Sequence, residues 1–487
     1  MHSVLGSFVR ATCYVALVAC GAAPSDRTPS DPPPLNVNRV IDPKGHDWTR
    51  FGWNAARTNV STDETGITAQ NVSSLHRQRV QLDGTVDSSP IYLHGVRVKG
   101  VDRNVFFVTT TYGKTIAIDA DDASILWRYT PNSYDSWAGS RQITTATPVA
   151  DPNRQFIYAA SPNGHIQKLA IADGREIWST AITRMASREK IASSLNYDRG
   201  RVIAVTGGYV GDAPPYQGHV AILDANSGRL THIWNSLCSN RRELMDPSSC
   251  SESGSAMWGR AGAVVDTATG DIFTATGNAL WDGRTNWGDA TIVLDSTATN
   301  ILDNFTPQNT EELSSSDADV GSTSPAPLGN GYMLQGGKDG SIRVLPFDRT
   351  RGATPRRGGE PQAVRTPSGS QMVTALAVMK SGSEIWIFAT DYGGTAAFTF
   401  SGGLLKRMWE NTTSGTSPVI AGGLLYIYNS GGGLRVYNPR TGQLVTTLEC
   451  GHGHWNSPII VDGRIALPEG DSNSHSETGL LNIWRLP

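Results

Sequence analysis

One motif repeats eight times between about residue 89 and the C-terminus, and it limits the possible fold more than any other feature of this chain. Each copy begins with a small-residue segment such as Ser-Pro, continues with alternating apolar residues and, in several copies, reaches an apolar-Asp step and then Trp. The copies start near residues 89, 147, 193, 262, 324, 375, 417 and 457. Their spacing, about 60 falling to about 40 residues, is typical of four-stranded propeller blades with insertions.

The alternation within each copy predicts strands. Segments such as TIAID (115–119) and LRVYN (434–438) have the period of two that half-buried strands show. One blade cannot bury both of its faces, so the copies must stack around an axis. We therefore predict an all-β, eight-bladed propeller of four-stranded blades. The last copy lacks a fourth strand, and Leu75–Leu82 is expected to supply it and close the ring.

Composition supports a folded, turn-rich β protein and argues against one class of partner. The chain has 487 residues, of which 52 are Gly and 13 are Trp, while only 17% are charged. The formal net charge is −3, so no basic excess is available to follow a phosphate backbone. We expect no nucleic-acid binding.

The N-terminus predicts export and attachment to a membrane. Arg10 precedes an apolar stretch, Tyr14–Ala19, that is too short to span a bilayer but is typical of a signal-peptide core. The stretch ends in Leu-Val-Ala-Cys20, which resembles a bacterial lipobox, and Gly21 resembles signals sorted to the outer membrane. We predict a signal peptide (1–19), a lipid on Cys20, a Pro/Ser-rich disordered tether (20–46) and a single domain (47–487) at the cell envelope. The alternative is an ordinary secretory signal with an incidental Cys.

Cysteine positions predict one disulfide. An exported protein occupies a compartment where disulfides persist. Cys238 and Cys250 flank a short polar segment, so a local bridge is expected to close that loop. Cys450 is then left over, and we interpret it as a small buried apolar residue.

The repeats, together with DWTRFGWNAARTN at 47–59, resemble the quinoprotein alcohol dehydrogenase-like family of eight-bladed propellers. The resemblance covers about residues 47–487 and implies that the repeated Trp docks one blade against the next. Enzymes of this family hold pyrroloquinoline quinone (PQQ) over a metal ion in the central channel. Other members, such as an outer-membrane assembly lipoprotein, are scaffolds that bind partners at the rim, so the fold alone does not decide the function.

The stretch 257–345 is similar in order to the dehydrogenase site. The resemblance implies that Trp258 is the floor beneath the quinone, that Asn278 of Thr-Gly-Asn binds the metal and that Asp317 is the catalytic base. Asp319 matches an additional carboxylate of lanthanide-using members, and Lys338 matches a cation that contacts the quinone. Each residue also has a structural interpretation: blade docking for the Trp, turn formation for the Asn and Asp residues, and solvent exposure for the Lys.

The chain departs from the dehydrogenase pattern at several points. No Glu is present at Gly207–Asp212, where the family supplies a metal ligand, and Asp212 is only a displaced and shorter substitute. The adjacent Cys pair that covers the quinone in many members is absent, and no CxxCH haem-attachment motif occurs. Asp212 begins an insertion that runs through Tyr216 to Gly218 and could shape the mouth of a channel pocket.

His452, His454 and His475 suggest a second metal site, but two His at strand spacing without matched carboxylates make an incomplete ligand set. We favour a polar start of an inner strand, with Trp455 docking.

Two functions follow, and a third is weaker. The first is a lipid-anchored scaffold that binds a ligand or an envelope protein, which the departures favour. The alternative is a PQQ-dependent alcohol dehydrogenase that uses Ca²⁺ or a lanthanide on a small alcohol, which the ordered residues favour. A glycan-active propeller would need facing carboxylates, which the sequence does not show.

Overall fold

The computed structural model describes residues 45–487, which form eight four-stranded antiparallel sheets arranged as a propeller. The predicted fold class is confirmed. The predicted signal peptide, Cys20 and nearly all of the predicted tether lie outside the described residues.

The first four blades follow in chain order, and strand β1 (His76–Leu82) precedes them. Blade 1 contains β2 (Ile91–Val98), β3 (Val101–Thr109), β4 (Thr115–Asp119) and β5 (Ile125–Tyr129). Blade 2 contains β6 (Val149–Ala150), β7 (Phe156–Ser161), β8 (His165–Ala170) and β9 (Glu176–Ala181). Blade 3 contains β11 (Asn196–Asp198), β12 (Arg201–Val205), β14 (His219–Asp224) and β15 (Leu230–Asn235), and a separate pair joins β10 (Glu189–Lys190) to β13 (Gly207–Gly208). Blade 4 contains β16 (Val264–Val265), β17 (Ile272–Ala275), β18 (Thr291–Leu294) and β19 (Ile301–Phe305).

The second half of the ring repeats this pattern. Blade 5 contains β20 (Ala326–Gly329), β21 (Tyr332–Gly336), β22 (Ser341–Pro346) and β23 (Gln362–Arg365). Blade 6 contains β24 (Ala377–Ser381), β25 (Glu384–Thr390), β26 (Thr395–Ser401) and β27 (Leu404–Asn411). Blade 7 contains β28 (Val419–Ala421), β29 (Leu424–Tyr428), β30 (Leu434–Tyr437) and β31 (Leu444–Leu448). Blade 8 contains β32 (Ile459–Val461), β33 (Arg464–Glu469), β34 (Gly479–Arg485) and β1.

Within residues 45–487, helical structure is confined to short segments of three to six residues. One α-helix, α1, spans Thr310–Ser315. The short 3₁₀ turns are Val72–Ser74, Tyr134–Ser136, Pro247–Ser249, Val320–Ser322 and Ser472–Ser474. Among the described residues, no helix is long and apolar enough to cross a membrane.

The N-terminal strand closes the ring, as the sequence predicts. Strand β1 pairs antiparallel with β34 along its whole length, and Val80 lies opposite Leu481. Val80 and Leu82 are buried, while the residues on the other face of β1 are exposed. The first and last segments of the domain therefore share one blade, which removes an open strand edge.

The repeated Trp docks neighbouring blades, also as predicted. Trp127 of blade 1 donates its indole N–H to the carbonyl of Ile171 in blade 2 at 2.9 Å, and Trp409 of blade 6 reaches Pro439 in the same way at 2.8 Å. Each indole lies against a glycine in the neighbouring blade: a Cβ on Gly174 or Gly442 would lie 2.6 or 2.7 Å from the ring. Both glycines have positive φ, so the turn conformation and the close contact require the same residue.

The opening segment at 47–59 ties the ring together. Arg57 is buried and donates to the carbonyl of Leu195 in the segment before blade 3. Asn59 donates to the carbonyl of Leu376 before blade 6, and Trp48 pairs with Tyr92 in blade 1. This segment therefore contacts blades that lie far apart around the ring.

Candidate functional site

A cavity of about 230 Å³ lies on the propeller axis. It is lined by the segments that lead into the innermost strands of blades 3, 4, 5 and 8, and by the loops between the second and third strands of blades 3, 4 and 5. Blades 4 and 8 are diametrically opposite in a ring of eight, and their residues Trp258 and Trp455 have ring centroids only 5.9 Å apart. The cavity is therefore in the central channel.

All six channel residues predicted from the sequence line this cavity. They are Trp258, Asn278, Asp317, Asp319, Lys338 and Asp212. Five of them form a connected group, and Asp212 stands apart.

The connected group centres on two carboxylates and one ammonium. Lys338 Nζ lies 2.7 Å from Asp317 Oδ1 and 2.7 Å from Asp319 Oδ1. The indole N–H of Trp258 donates to Asp319 Oδ2 at 2.8 Å, and the side-chain amide of Asn278 donates to Asp317 Oδ1 at 3.0 Å. The interpretation of Lys338 as solvent-exposed is therefore wrong, because its side chain is largely buried in two ion pairs. Trp258 lines the channel and also contacts Trp455 of blade 8.

Backbone geometry brings these side chains together. Asn278 follows β17 through Thr276 and Gly277, and a Cβ on Gly277 would lie 2.9 Å from Asp319 Oδ2. Only a residue without a side chain leaves space for that carboxylate. Asp319 stands immediately before the 3₁₀ turn Val320–Ser322, and Asp317 has a left-handed backbone with φ of 53°. The loop therefore turns twice within three residues and presents both carboxylates to Lys338.

Burial controls the charges of the group. Burial is the largest influence on the pKa of Asp319 and raises it, although Lys338 opposes this shift. Burial alone would lower the pKa of Lys338, but Asp319 and Asp317 raise it above its usual value. Nearby Asp289 is buried, and burial followed by the charge of Asp319 raises its pKa to about 8. At neutral pH the channel therefore holds charged Lys338 beside its carboxylates, and Asp289 is mostly protonated.

The donor atoms fit a hard cation. Asn278 Oδ1 is buried and has no hydrogen-bond partner among the described residues, so it is a free oxygen donor. The carboxylates of Asp317 and Asp319 supply further oxygens, the ligand type that Ca²⁺ and lanthanides prefer. With Lys338 counted, this pair of carboxylates keeps one net negative charge. The face of Trp258 borders the same cavity and offers a stacking surface for a planar ligand.

Asp212, the possible substitute metal ligand, lines the cavity apart from the connected group. Its Oδ1 accepts a 2.9 Å hydrogen bond from the hydroxyl of Tyr216, within the insertion that the sequence singled out. The pKa of Tyr216 is raised by burial and by Asp212, and also by Asp319 and Asp317. Tyr216 and Asp212 both line the cavity, and Val210 of the same loop is 79% exposed.

Sequence reasoning missed Lys190, which also lines the cavity. Its position at the start of an inner-strand segment, one residue before Ile191-Ala192-Ser193, was the available indication. Trp455 was expected only to dock blades, but it borders both this cavity and a smaller one of about 120 Å³.

His454 has carboxylate partners that the sequence did not reveal. Its Nδ1 lies 2.7 Å from buried Asp87 and 3.4 Å from Asp471, and its ring stacks on Trp455. The expectation of no matched carboxylate is wrong, because Asp87 belongs to the first blade and meets His454 only when the ring closes. His452 is exposed.

The cysteine prediction is confirmed within the described residues. Cys238 and Cys250 form a disulfide with a sequence separation of 12. Cys450 is a free, half-buried thiol, and burial raises its pKa to about 11.

Comparison with known proteins supports a relationship to both enzymes and scaffolds. The family described as outer membrane protein assembly factor BamB matches residues 68–251. A quinohemoprotein alcohol dehydrogenase, ADH IIB of Pseudomonas putida, is 26% identical over 202 residues, which is 39% of this chain and 26% of that protein. A polyvinylalcohol dehydrogenase of a Pseudomonas species is 22% identical over 260 residues, which is 50% of this chain and 38% of that protein. The match thus spans well under half of the length of either relative.

Solved structures share the fold. A quinohemoprotein alcohol dehydrogenase from Comamonas testosteroni gives a TM-score of 0.66 at 16% identity, over 91% of this chain and 81% of that one. A europium-containing methanol dehydrogenase gives a TM-score of 0.66 at 14% identity, over 91% of this chain and 98% of that one. BamB from Moraxella catarrhalis gives a TM-score of 0.51 at 13% identity, over 85% of this chain and 98% of that one.

Proposed function

We propose that this PQQ-repeat propeller, of the quinoprotein alcohol dehydrogenase-like type, is an oxidoreductase that oxidises a small alcohol with PQQ and a hard metal ion, Ca²⁺ or a lanthanide. One observation carries the proposal. Five residues from four separate segments meet in one channel cavity in direct contact: Trp258, Asn278, Asp317 with Asp319, and Lys338.

Different residues of the cavity would bind the metal and support the cofactor. Asn278 Oδ1 and the carboxylate of Asp319 would hold the metal, and Trp258 would support the face of the cofactor. When bound, the quinone accepts the two electrons of the alcohol and the metal polarises its carbonyl.

Asp317 is placed to accept the proton of the alcohol. Its side chain is 67% exposed, on the solvent side of the group, whereas Asp319 is buried. Lys338 Nζ and the side-chain amide of Asn278 both donate to Oδ1. Oδ2 faces no donor among the described residues, so it is the oxygen available to the substrate.

The test is reconstitution of the full-length protein. PQQ is added with Ca²⁺ and then with La³⁺, and binding stoichiometry and dye reduction are measured over a panel of alcohols. We expect metal-dependent stoichiometric binding, and loss of turnover but not of binding in Asp317→Asn. Lys168→Met is the matched control, because Lys168 is a buried lysine in blade 2 outside the channel. Absence of quinone binding with either metal would overturn the proposal.

A scaffold is the second candidate. It is favoured by the missing Glu at 207–212 and by two exposed apolar side chains that border the channel cavities, Val210 and Tyr392, at 79% and 59%. A partner seated there would be lost on Val210→Asp without any change in quinone binding. Partner recovery from cross-linked envelopes, compared between the wild type and this variant, distinguishes the two functions.

We also propose that a lipid on Cys20 holds the protein at the cell envelope, with the outer membrane as its place. The Leu-Val-Ala-Cys pattern and the following Gly21 support this. Cys20→Ser is expected to release the protein from isolated membranes. A variant that stays membrane-bound would contradict the anchor.

A further inference from the structure

A cleft of about 550 Å³ lies on the face of the propeller opposite the channel cavity. The channel cavity is lined by segments that lead into innermost strands, whereas this cleft is lined by residues where those strands end. Pro152 follows β6, Tyr197 and Asp198 end β11, and Thr267 follows β16. The opening segment, between Asp47 and Asp63, supplies the other wall, and the two cavities share no lining residue.

Trp53, in the wall of this cleft, has a backbone conformation that a bulky residue rarely adopts. Its φ is 76°, and the N–H of Asn54 donates to the carbonyl of Gly52 at 2.9 Å. A hydrogen bond that spans two residues around a positive φ of this size defines the rare and strained form of the γ-turn. Glycine would make the same turn without the steric cost of a Cβ. Because strained residues concentrate at ligand sites, the conformation points to a use for the indole.

Two aromatic rings border the cleft, and each is held by a buried aromatic neighbour. Trp53 is half-buried and makes an edge contact with Trp48, with ring centroids 5.0 Å apart. Tyr197 is also half-buried and stacks on Tyr158 at 5.8 Å. Trp53 and Tyr197 therefore offer rigid apolar surfaces within an otherwise polar cleft.

The cleft also contains an unused acceptor and an unused donor. Asp63 is half-buried, and its carboxylate has no hydrogen bond and no ion pair among the described residues. Arg50 donates through Nη1 to Asn196 Oδ1 at 3.0 Å and to the carbonyl of Tyr197 at 2.7 Å. Within residues 45–487, Arg50 Nη2 has no acceptor. A ligand with both donors and acceptors would satisfy the two groups together.

No single sign of charge dominates the cleft. Three Asp and two Arg line it. Asp47 is already paired with Arg154 at 3.0 Å, and Asp198 is paired with Arg201 at 2.9 Å. The remaining carboxylate and guanidinium balance each other, so the cleft does not favour a strongly charged ligand.

We propose that this cleft binds a neutral saccharide. A pyranose has apolar C–H faces, which suit Trp53 and Tyr197, and a rim of hydroxyls that both donate and accept. The Asp63 carboxylate would accept from hydroxyls, and Arg50 Nη2 would donate to a hydroxyl or ring oxygen. The site shares no residue with the channel and requires no quinone, so it stands or falls separately from the proposed function.

The test uses glucose, maltotetraose, cellotetraose and chitotetraose on the full-length, quinone-free protein. Binding is followed by saturation-transfer difference NMR and by tryptophan fluorescence, and we expect at least one of these sugars to bind. A tetrasaccharide that binds at least about tenfold more tightly than glucose identifies a polysaccharide as the natural source. Equal affinities identify a free sugar.

Variants locate the site. Trp53→Gly keeps the turn and removes the ring, so we expect binding at least about tenfold weaker, while Trp53→Phe should retain most of it. Asp63→Ala removes the free acceptor and should weaken binding by about tenfold. Glu64→Ala is the matched control, because Glu64 is the exposed neighbour of Asp63 and does not line the cleft. Asp317→Asn, in the channel, should bind the sugar like the wild type.

Four results would overturn the proposal. The first is equal sugar binding in the wild type and Trp53→Gly, with cooperative unfolding showing that the variant is folded. The second is a loss of binding in Asp317→Asn but not in Trp53→Gly, because the sugar would then occupy the channel. The third is no binding of any of the four sugars at millimolar concentration. The fourth is tighter binding of AMP than of every sugar, which would assign the cleft to another class of ligand.

Discussion

The indole N–H of Trp258 donates a 2.8 Å hydrogen bond to Asp319, 61 residues further along the chain. The bond joins the floor of the channel cavity in blade 4 to the carboxylates at the start of blade 5. It also satisfies one oxygen of a side chain that is almost entirely buried. Loss of the indole N–H would therefore leave this carboxylate with one hydrogen bond fewer.

Trp258→Phe keeps the ring and removes this donor. We expect a loss of about 1–3 kcal/mol in the free energy of unfolding at pH 7, because a buried carboxylate loses a bond. The raised pKa of Asp319 should rise further. Between the unfolded pKa of Asp319 and its raised folded pKa, the folded state binds more protons than the unfolded state. The free energy of unfolding therefore falls as pH rises across this range. Urea unfolding at pH 4 and pH 7 checks this, and an equal loss at both pH values would contradict it.

Lys338→Met removes the positive charge from Asp317 and Asp319. We expect tighter binding of a trivalent lanthanide, by about tenfold or more, because the ammonium 2.7 Å away no longer competes with the ion. Terbium luminescence sensitised by the channel tryptophans measures this. Asn278→Ala should weaken binding, since it removes the buried free amide oxygen. Unchanged affinity in both variants would place the ion elsewhere.

Lys190→Met should stabilise the protein at neutral pH. The folded-state pKa of Lys190 is lowered to about 8, below its unfolded value. The unfolded state therefore binds more protons between those two values, and wild-type stability rises with pH across that window. The variant should melt a few degrees higher than the wild type at pH 7, and the gap should close towards pH 10. Thermal unfolding at both pH values tests this. A variant that is less stable at pH 7 would mean that Lys190 has a favourable partner.

Leu82→Asp should open the ring. Leu82 is buried on β1, which closes blade 8, and a charge there would be buried without a partner. We expect a loss of several kcal/mol, measured by denaturant unfolding. Gln81→Asp is the matched control, because its side chain lies on the exposed face of the same strand. Equal losses in the two variants would argue against the closure.

Removing the disulfide should cost about 3 kcal/mol. Cys238 and Cys250 close a loop of about a dozen residues, and its loss gives the unfolded chain more freedom. The double variant Cys238→Ser/Cys250→Ser and the reduced wild type should give the same midpoint of unfolding. A change in dye reduction without a change in stability would contradict a purely structural role.

The repeat determined the architecture without any tertiary information. Strand period, turn glycines and blade spacing are local properties, so the eight blades and the docking Trp residues could be read directly from the chain. The closing strand followed as well, because the last copy lacked a partner for its edge. The disulfide was predictable because its two cysteines lie close in sequence.

Tertiary structure decided what the channel contains. The family resemblance indicated five residues that do lie in one cavity: Trp258, Asn278, Asp317, Asp319 and Lys338. It did not show that Lys338 forms ion pairs with both carboxylates, or that Tyr216 donates a hydrogen bond to Asp212. Lys190, Arg260 and Asp87 belong to no recognisable motif. They become neighbours only where segments from different blades meet at the axis. Charge balance in a buried channel depends on which side chains become neighbours after the ring closes. Trp258 and Asp319 are 61 residues apart in sequence, and Arg260 and Asp87 are 173 apart.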